Sequence, residues 1–384
     1  MSKIIKFAAC LLLLAMLPIA LFACNSQVPE PTESANESEE ATQKPTATEE
    51  VIVGTPIDLL GNEDKIKIIG RYQTTASGIA SDFTASGIEF CGVMKGKVYV
   101  DIRCHDLTFF TVFVDGVRQS KRYEVKAGRN ATTLTVANFG ETSGEHTIRV
   151  LKQTESKFSL AEFRRITIDG ELSAPPENKE LYIEFIGDSL TCGLGNLATP
   201  TTSSASTARY EDGTYGYAFL TAEALGADYS IISQSGIGVA DSWGDDIVDY
   251  YTKQSYSRDK ETLYEFTRIP DMVVINLGTN DYYLNKQFPE REVAARMKDE
   301  TKAFIELIRE KYGEDITIVW AYDLVGNCMY DTVKEAIDEL GAEAAGIYTC
   351  KLTQNTSGGD GHPNKAGHSK AAEELTNFIL SIGK

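Results

Sequence analysis

The sequence predicts two folded regions in series: an all-β sandwich, followed by an α/β domain in which helices cover both faces of a parallel sheet. Two observations support this fold class. Between about residues 66 and 172 the apolar residues mostly follow a period of two, and after residue 181 apolar runs alternate with helical patterns. The length of 384 residues exceeds what one domain usually needs, and a hydrophobic fraction of 42% supplies ordinary cores.

The N-terminus has the pattern of an export signal. A positively charged start precedes the apolar stretch Phe7 to Ala20, which is short for a membrane span. Leu21 to Cys24 follow, and this tetrapeptide resembles the lipobox of bacterial lipoproteins. The resemblance implies that residues 1–23 are a lipoprotein signal peptide and that lipid is attached to the Cys24 thiol. We therefore expect an exported cell-surface protein that reaches the bacterial membrane only through this anchor. The alternative is an ordinary secretion signal and a secreted protein.

Residues 24–55 predict a disordered acidic tether, because Asn25 to Glu50 are rich in Glu, Thr, Ser and Pro and nearly free of apolar side chains. The formal net charge of −19 argues against nucleic acid as a partner. Of the seven cysteines, five remain beyond Cys10 and Cys24, and none of them has Cys-x-x-Cys spacing. A structural zinc site is therefore not expected, and the pairing of these cysteines stays open.

Residues 56–175 predict a β-sandwich of jelly-roll type. Five short segments are rich in β-branched and aromatic residues and end near Gly, Asn or Asp, as strands of a sandwich do. These segments are "KVYVDIRC", "FFTVFVDG", "ATTLTVANFG", "EHTIRVLKQ" and "FRRITIDG". The segment from Glu171 to Glu180 contains two adjacent prolines and predicts a linker.

Residues 176–384 predict a three-layer α/β/α domain. Its strands are apolar throughout, which is typical of a parallel sheet covered on both faces. The predicted strands are Leu181–Ile186, Tyr229–Ile232, Met272–Leu277, Ile316–Tyr322 and Ala345–Cys350. The predicted helices lie near Tyr215–Leu225, Glu290–Lys311, Tyr330–Leu340 and Lys365–Ile382. Ligands of such sheets bind at the carboxyl ends of the strands, so the chemistry should lie directly after these runs.

Ser189 follows the first of these strands, in "GDSLTCG". The serine can be a nucleophile, a helix cap or part of a phosphate-binding loop. The nearby "GLGNLA" matches the dinucleotide fingerprint only formally, because no helix pattern follows it, and no Gly-Lys-Ser/Thr completes a P-loop. No Gly-x-Ser-x-Gly occurs either, which excludes the usual α/β-hydrolase elbow.

The other strand ends supply the partners that a nucleophilic serine needs. "SQSGIG", "INLGTND" and "SGGDGHPN" follow later strands and bring glycine N–H groups, an amide, carboxylates and a histidine. The chain has four histidines: His105 and His146 fall in the β region, and His368 falls inside the last helix pattern. His362 alone stands in a glycine-rich turn after the last strand, which makes it the candidate general base.

Four blocks, "GDSLTCG", "SGIG", "GTND" and "DGHPN", resemble in order the conserved blocks of the GDSL, or SGNH, hydrolases. The resemblance implies a flavodoxin-like three-layer fold for residues 176–384. With the β region and "SAPPENKELYIEFIGDSLTCGLGN" across the junction, the chain is also similar to carbohydrate esterase family two. Enzymes of that family pair a jelly-roll domain with an SGNH domain and remove acetyl groups from plant polysaccharides.

The resemblance implies roles for single residues. Ser189 matches the nucleophile, and the Ser189 N–H, Gly236 and Asn280 match the donors of the oxyanion hole, with Gly238 as a less favoured substitute for Gly236. His362 matches the base. Asp188 and Asp281 are expected to brace their loops through backbone N–H groups.

One position departs from the broad family, which places an aspartate three residues before the histidine. That position is Gly359, and Asp360 stands only two residues before His362. Asp360 is the candidate third catalytic residue. In the carbohydrate esterase branch, where this shorter spacing is common, a backbone carbonyl can orient the imidazole instead.

The function that the resemblance implies is that of an extracellular carbohydrate O-acetyl esterase. It would deacetylate a xylan- or glucomannan-like polysaccharide or oligosaccharide through an acetyl-enzyme intermediate, without metal or cofactor. Two alternatives stay open: another SGNH esterase, such as a lipase, thioesterase or peptidoglycan O-acetylesterase, and a non-catalytic glycan-binding lipoprotein. Trp243 and Trp320 are candidates for stacking on sugar rings or for packing in the core.

Overall fold

The computed structural model describes residues 51–244, 246–255, 261–286 and 290–384. The predicted signal peptide, Cys24 and the tether up to residue 50 lie outside the described residues. Within the described ranges, no helix combines the length and the apolar character needed to cross a bilayer. The five cysteines whose pairing the sequence leaves open are all free thiols.

The β region is built from strands whose side chains alternate between a shared core and the surface. Its first strand begins at Thr55, one residue before the predicted boundary. The strands are β1 Thr55–Asp58, β2 Lys67–Ile69, β3 Gln73–Thr74, β4 Ile79–Ser81, β5 Gly87–Cys104, β6 Thr108–Val114, β7 Val117–Arg118, β8 Tyr123–Val125, β9 Thr132–Asn138, β10 Gly144–Lys152 and β11 Ala161–Leu172.

Strand β5 holds the β region together. Its first half pairs with β2 and β10, whereas its second half pairs with β9, and β11 runs along most of it, all antiparallel. Gly96, with a φ of +62°, lies between the two halves. Because the two halves have different neighbours, one strand contributes to both layers of a sandwich. Phe90, Val100 and Phe163 are fully buried between the layers.

The second region contains a five-stranded sheet in the order β13-β12-β14-β15-β16, with all neighbours parallel. Its strands are β12 Tyr182–Gly187, β13 Asp228–Ser233, β14 Met272–Asn276, β15 Thr317–Tyr322 and β16 Ile347–Lys351. Every residue of β12, β13 and β14 is buried, which explains the unbroken apolar runs in the sequence.

Helices cover both faces of this sheet, which confirms the predicted α/β/α layers. They are α1 Ser189–Cys192, α2 Tyr217–Ala224, α3 Ile247–Tyr251, α4 Thr279–Leu284, α5 Glu290–Tyr312, α6 Tyr330–Glu339 and α7 Lys365–Ser381. Helices α2 and α7 share one core with Phe185 and Val274, while α3, α5 and α6 share another with Ile186 and Ile275. Because neighbouring residues of β12 and β14 contribute to opposite cores, the sheet is buried on both sides.

The two regions also share a core. Phe113 and Leu151 of the β region are buried in the same apolar cluster as Phe219 of α2, and the rings of Phe113 and Phe219 lie 5.8 Å apart. A bidentate pair between Arg149 and Glu223 borders this contact at 2.6 and 2.8 Å. The β region is therefore packed against the α/β region through buried apolar surface, not only linked to it by the chain.

Candidate active site

Ser189 is held at the carboxyl end of the central strand β12. Gly187 ends the strand, and a Cβ there would lie 2.0 Å from the Thr191 hydroxyl, so only glycine fits. Asp188 caps the short helix α1, since its carboxylate accepts the Leu190 N–H at 2.9 Å. Ser189 is the first residue of α1 and not its cap, which leaves its hydroxyl free for another partner. Ser189 as a whole is 8% exposed.

His362 is that partner. Its Nε2 lies 2.8 Å from Ser189 Oγ, the distance of a hydrogen bond between a nucleophile and a general base. Burial lowers the pKa of His362 below its ordinary value, and this effect outweighs the carbonyl groups near Nδ1, which raise it. The imidazole is therefore neutral at pH 7 and able to accept a proton.

Two backbone carbonyls orient the imidazole. Nδ1 lies 3.2 Å from the carbonyl oxygen of Gly359 and 3.2 Å from that of Asp360. The Asp360 carboxylate instead accepts a hydrogen bond from Ser206 Oγ at 2.6 Å. Of the alternatives that the sequence left open for Asp360, the structure favours the carbonyl.

The packing at Gly359 explains why the aspartate of the broad family is missing. A Cβ at this position would lie 2.2 Å from the Cβ of Ala205 and 2.8 Å from that of Ala198. The Gly359 N–H donates to the Gly195 carbonyl at 2.9 Å. The segment "GLGNLA", which resembles a dinucleotide fingerprint only formally, therefore packs against the histidine loop.

Two backbone N–H groups are available near the serine. Among the described residues, neither the Ser189 N–H nor the Gly236 N–H has a hydrogen-bond acceptor. The Gly238 N–H is different, because it donates to Ser242 Oγ at 2.9 Å. A Cβ on Gly238 would also lie 2.1 Å from the Asp241 carbonyl, which gives this glycine a packing role. The geometry thus favours Gly236 over Gly238 as an oxyanion donor.

Asn280 lies in helix α4, directly after strand β14. Its Nδ2 donates to the Ile237 carbonyl at 2.7 Å and to an Asp188 carboxylate oxygen at 3.2 Å. The Ile237 contact holds the amide beside the Gly236 loop. The longer contact with Asp188 is the one that the amide can exchange for an oxyanion.

Asp188 and Asp281 brace the loops as expected. Asp281 accepts the N–H groups of Val239, Ala240 and Asp241 at 2.7–2.9 Å and so holds the loop after β13. Burial raises the pKa of Asp281, although these three donors oppose the shift. Burial likewise raises the pKa of Asp188 to about 7, so its charge state changes near neutral pH.

Sequence reasoning missed one polar contact at this site. Glu155, in the loop between β10 and β11, accepts two hydrogen bonds from Ser235, next to Gly236. No local pattern marks this glutamate, because its partner lies 80 residues away in the other region. The two tryptophans also differ: Trp320 is 1% exposed and belongs to the core, whereas Trp243 is 68% exposed. The backbone N–H of Trp243 donates to the Gly236 carbonyl at 2.8 Å.

Family models match both regions of the chain. Residues 183–375 match the GDSL-like Lipase/Acylhydrolase family, and residues 68–176 match the N-terminal domain of carbohydrate esterase 2. The first match covers half of the chain and contains all four residues assigned above by resemblance to the nucleophile, the base and the oxyanion hole.

The similar proteins include two curated ones and a solved structure. The cellulase/esterase CelE of Acetivibrio thermocellus is 32% identical over 270 residues, which are 64% of this chain and 31% of CelE, so the chain spans about a third of that relative. The acetylxylan esterase / glucomannan deacetylase of Cellvibrio japonicus is 24% identical over 67% of this chain and 73% of its own length. A family two carbohydrate esterase from Clostridium thermocellum, solved in complex with cellohexaose, superposes with a TM-score of 0.74 at 27% identity, over 83% of this chain and 98% of that one.

Proposed function

This chain belongs to the GDSL-like lipase and acylhydrolase family, and we propose that it is a carbohydrate O-acetyl esterase with Ser189 as nucleophile. One observation carries the proposal: the Ser189 hydroxyl lies 2.8 Å from His362 Nε2, beside two N–H groups without acceptors among the described residues. Nucleophile, base and oxyanion donors are the three elements that acyl transfer requires.

Acylation begins when His362 Nε2 takes the proton of Ser189 as Oγ attacks the acetyl carbonyl carbon. The carbonyls of Gly359 and Asp360 accept the hydrogen bond of the Nδ1–H, which keeps Nε2 free of a proton in the resting state and stabilises the imidazolium that then forms. The Ser189 and Gly236 N–H groups and the Asn280 amide donate to the oxyanion. Each such donor is typically worth about 3–4 kcal/mol in the transition state.

The tetrahedral intermediate breaks down as the imidazolium returns its proton to the sugar oxygen, which leaves as an alcohol. A water molecule then takes the place of the sugar, and His362 takes a proton from it as it attacks the acetyl-enzyme. Collapse of the second tetrahedral intermediate releases acetate and restores the serine. All proton transfers pass through Nε2, so one histidine serves both half-reactions.

A polysaccharide substrate is supported by the relatives and by the surface beside the site. The Cellvibrio japonicus relative is named for acetylxylan and glucomannan deacetylation, and the solved relative holds cellohexaose. In this chain the exposed Trp243 lies in the loop that follows β13 and carries Gly236, which is called the oxyanion loop and spans residues 234–243. A Cβ on Gly236 would be 3.2 Å from the Trp243 Cβ. An exposed indole on this loop suits stacking on a sugar ring of a xylan- or glucomannan-like chain.

Acetate release from acetylated xylan, acetylated glucomannan and O-acetylated peptidoglycan tests this proposal. We expect release from one of the plant glycans and its loss, by at least about 10³-fold, in Ser189→Ala and His362→Ala. Release from peptidoglycan alone would favour the other class of esterase. Binding of the glycans without acetate release would favour a binding protein and would refute the enzyme.

We also propose that the mature protein is exported and anchored through Cys24. The support is the apolar N-terminal stretch followed by Leu21 to Cys24, which lie outside the described residues. Metabolic labelling with palmitate in a bacterial host tests this, with Cys24→Ala as the control. Labelled protein in the membrane fraction, and unlabelled protein for Cys24→Ala, is the expected result; equal behaviour of both would refute the anchor.

A further inference from the structure

We infer that Glu155, a residue of the β region, is a positioning residue for the oxyanion hole of the α/β region. The inference rests on the proposed function, because it concerns the same reaction. It assigns the β region a part in the chemical step, through a side chain that touches no reacting atom.

Glu155 binds Ser235 with both carboxylate oxygens. The Ser235 N–H donates to Oε2 at 2.6 Å, and the Ser235 hydroxyl donates to Oε1 at 2.5 Å. Glu155 is fully buried and Ser235 is half-buried, so the carboxylate is shielded from bulk water. Charge-assisted hydrogen bonds of this length are among the stronger ones in proteins.

Ser235 immediately precedes Gly236, whose N–H is a proposed oxyanion donor. Ser235 and Gly236 are consecutive residues, so the contacts that fix the position of Ser235 also restrict the position of the Gly236 N–H. Gly236 has a φ of +94°, in the left-handed region, and glycine has no side chain of its own to hold that conformation. The Gly236 N–H therefore depends on its neighbours for its direction, and Glu155 is the neighbour that holds Ser235 on two atoms.

The Glu155 segment is itself firmly held. The Glu155 N–H donates to Glu211 Oε1 at 2.5 Å, and the buried Lys152 ammonium donates to the Glu155 carbonyl at 3.1 Å. Burial, together with the adjacent Glu155 carboxylate, raises the pKa of Glu211 well above its ordinary value. These contacts hold the Glu155 backbone in place in the loop after β10.

The same turn reaches two further parts of the site. Ser156 Oγ donates to the Gln234 side-chain oxygen at 2.9 Å, one residue before Ser235. Cys192, at the end of the helix that begins with Ser189, places its Sγ 3.8 Å from Glu155 Oε2 and 3.2 Å from Ser233 Oγ. Helix α1, which carries Ser189, and the oxyanion loop therefore both contact the same buried carboxylate, that of Glu155.

The test compares Glu155→Ala and Glu155→Gln with wild type in the full chain, using p-nitrophenyl acetate. Each kcat is normalised to the serine titrated with a fluorophosphonate. We expect Glu155→Ala to lower kcat about 100-fold with KM within about threefold, because a misplaced oxyanion donor acts only in the transition state. Glu155→Gln should recover kcat to within about tenfold of wild type, since its amide can accept the Ser235 N–H and donate to the hydroxyl.

Glu162→Ala is the matched control. Glu162 is also a buried glutamate of the β region, and it binds Thr75, Ser77 and Arg164, none of which touches the oxyanion loop. Its loss should lower the melting temperature while kcat stays within about threefold of wild type. An equal fall of kcat in both alanine variants would show a general effect of destabilisation and would overturn the inference.

Ser235→Ala keeps the test decisive if Glu155→Ala does not fold. It removes one of the two contacts and should lower kcat about three- to tenfold at unchanged KM. Where both single variants fold, adding Ser235→Ala to Glu155→Ala should cause no further loss. An active wild type whose kcat is insensitive to these substitutions overturns the inference alone, whereas a wild type without esterase activity overturns the proposed function and the inference with it.

Discussion

Replacing Asp360 with asparagine should leave kcat/KM on p-nitrophenyl acetate within about fivefold of wild type. In a triad whose carboxylate holds the imidazole, the same substitution lowers kcat about 10⁴-fold. Here the carboxylate accepts from Ser206 Oγ at 2.6 Å, and the Nδ1 of His362 faces two carbonyls at 3.2 Å. What Asn removes is a solvent-exposed charge near the imidazolium, worth about 1 kcal/mol or less, which is a factor of about five.

The backbone of Asp360 allows a sharper version of this experiment. Its φ is +51°, in the left-handed region, which Asn and Gly adopt at a lower cost than Ala. Alanine there costs about 1–2 kcal/mol and shifts the carbonyl that contacts Nδ1. We therefore expect Asp360→Gly to retain as much activity as Asp360→Asn. Asp360→Ala should lose more activity than either variant, although alanine removes fewer atoms of the residue than glycine does.

The measurement is steady-state kinetics of the three variants at about pH 7.5, with melting temperatures and titrated active sites. It shows whether the carbonyl or the carboxylate of Asp360 orients His362. Ser206→Ala is the matched control, because it removes the partner of the carboxylate without touching the carbonyl. A loss of 100-fold or more in both Asp360→Asn and Asp360→Gly, at normal folding, would refute the assignment to the carbonyl and restore the carboxylate as the orienting group.

Three further predictions follow from burial and exposure at named side chains. Because burial lowers the pKa of His362 and the base must be neutral, the acid limb of the kcat/KM profile should have its midpoint below the ordinary 6.5; a midpoint above 7 would contradict this. Burial lowers the pKa of His368 to about 3, so the free energy of unfolding should fall by up to about 1.4 kcal/mol per pH unit as pH drops from 6.5 toward 3. Chemical denaturation across that window should show a shallower slope for His368→Asn, and an equal slope would count against it. Trp243→Ala should raise KM for the acetylated polymer about three- to tenfold and leave p-nitrophenyl acetate within about twofold, whereas equal effects on both would indicate a role in the oxyanion loop.

The sequence predicts the candidate site well because its four main residues obey a local rule. Ser189, Gly236, Asn280 and His362 each follow a strand of the sheet, and all five strands of that sheet are predicted from the sequence as apolar runs. Parallel strands end at one edge, so the order of elements alone brings these residues together. The resemblance to a family then assigns their roles.

Strand β5 shows where local pattern fails in the β region. Only "KVYVDIRC", its second half, has clean alternation, and the residues before it include Gly92 and Gly96. Gly92 has no room for a Cβ, which would lie 2.2 Å from the Glu171 carbonyl. Such close backbone approach is a property of the packed sandwich, and it makes half of the longest strand look like a loop in the sequence.

Gly359 and Asp360 show a different limit. The sequence places a glycine where the family has aspartate, and it cannot tell which atom of the next residue replaces the lost carboxylate. The answer depends on Ala198 and Ala205, which fill the space that a side chain at 359 would need. Which group orients the His362 imidazole depends on packing between distant loops, and the spacing of residues along the sequence does not show such packing.

The contact between Glu155 and Ser235 gives the β region a structural role in the active site of the α/β region. If the β region only bound glycan, removing it would raise KM for polymers and leave small esters unaffected. The structure argues otherwise on two grounds: Leu151 and Phe113 are buried against the α/β region, and Glu155 holds the oxyanion loop from the other side of the same boundary. Deleting the β region would therefore expose a core and release the loop at once, so a truncated chain cannot separate glycan binding from catalysis. Substitutions at Glu155 and Trp243 can, because the first should change kcat on a small ester and the second should change KM on a polymer alone.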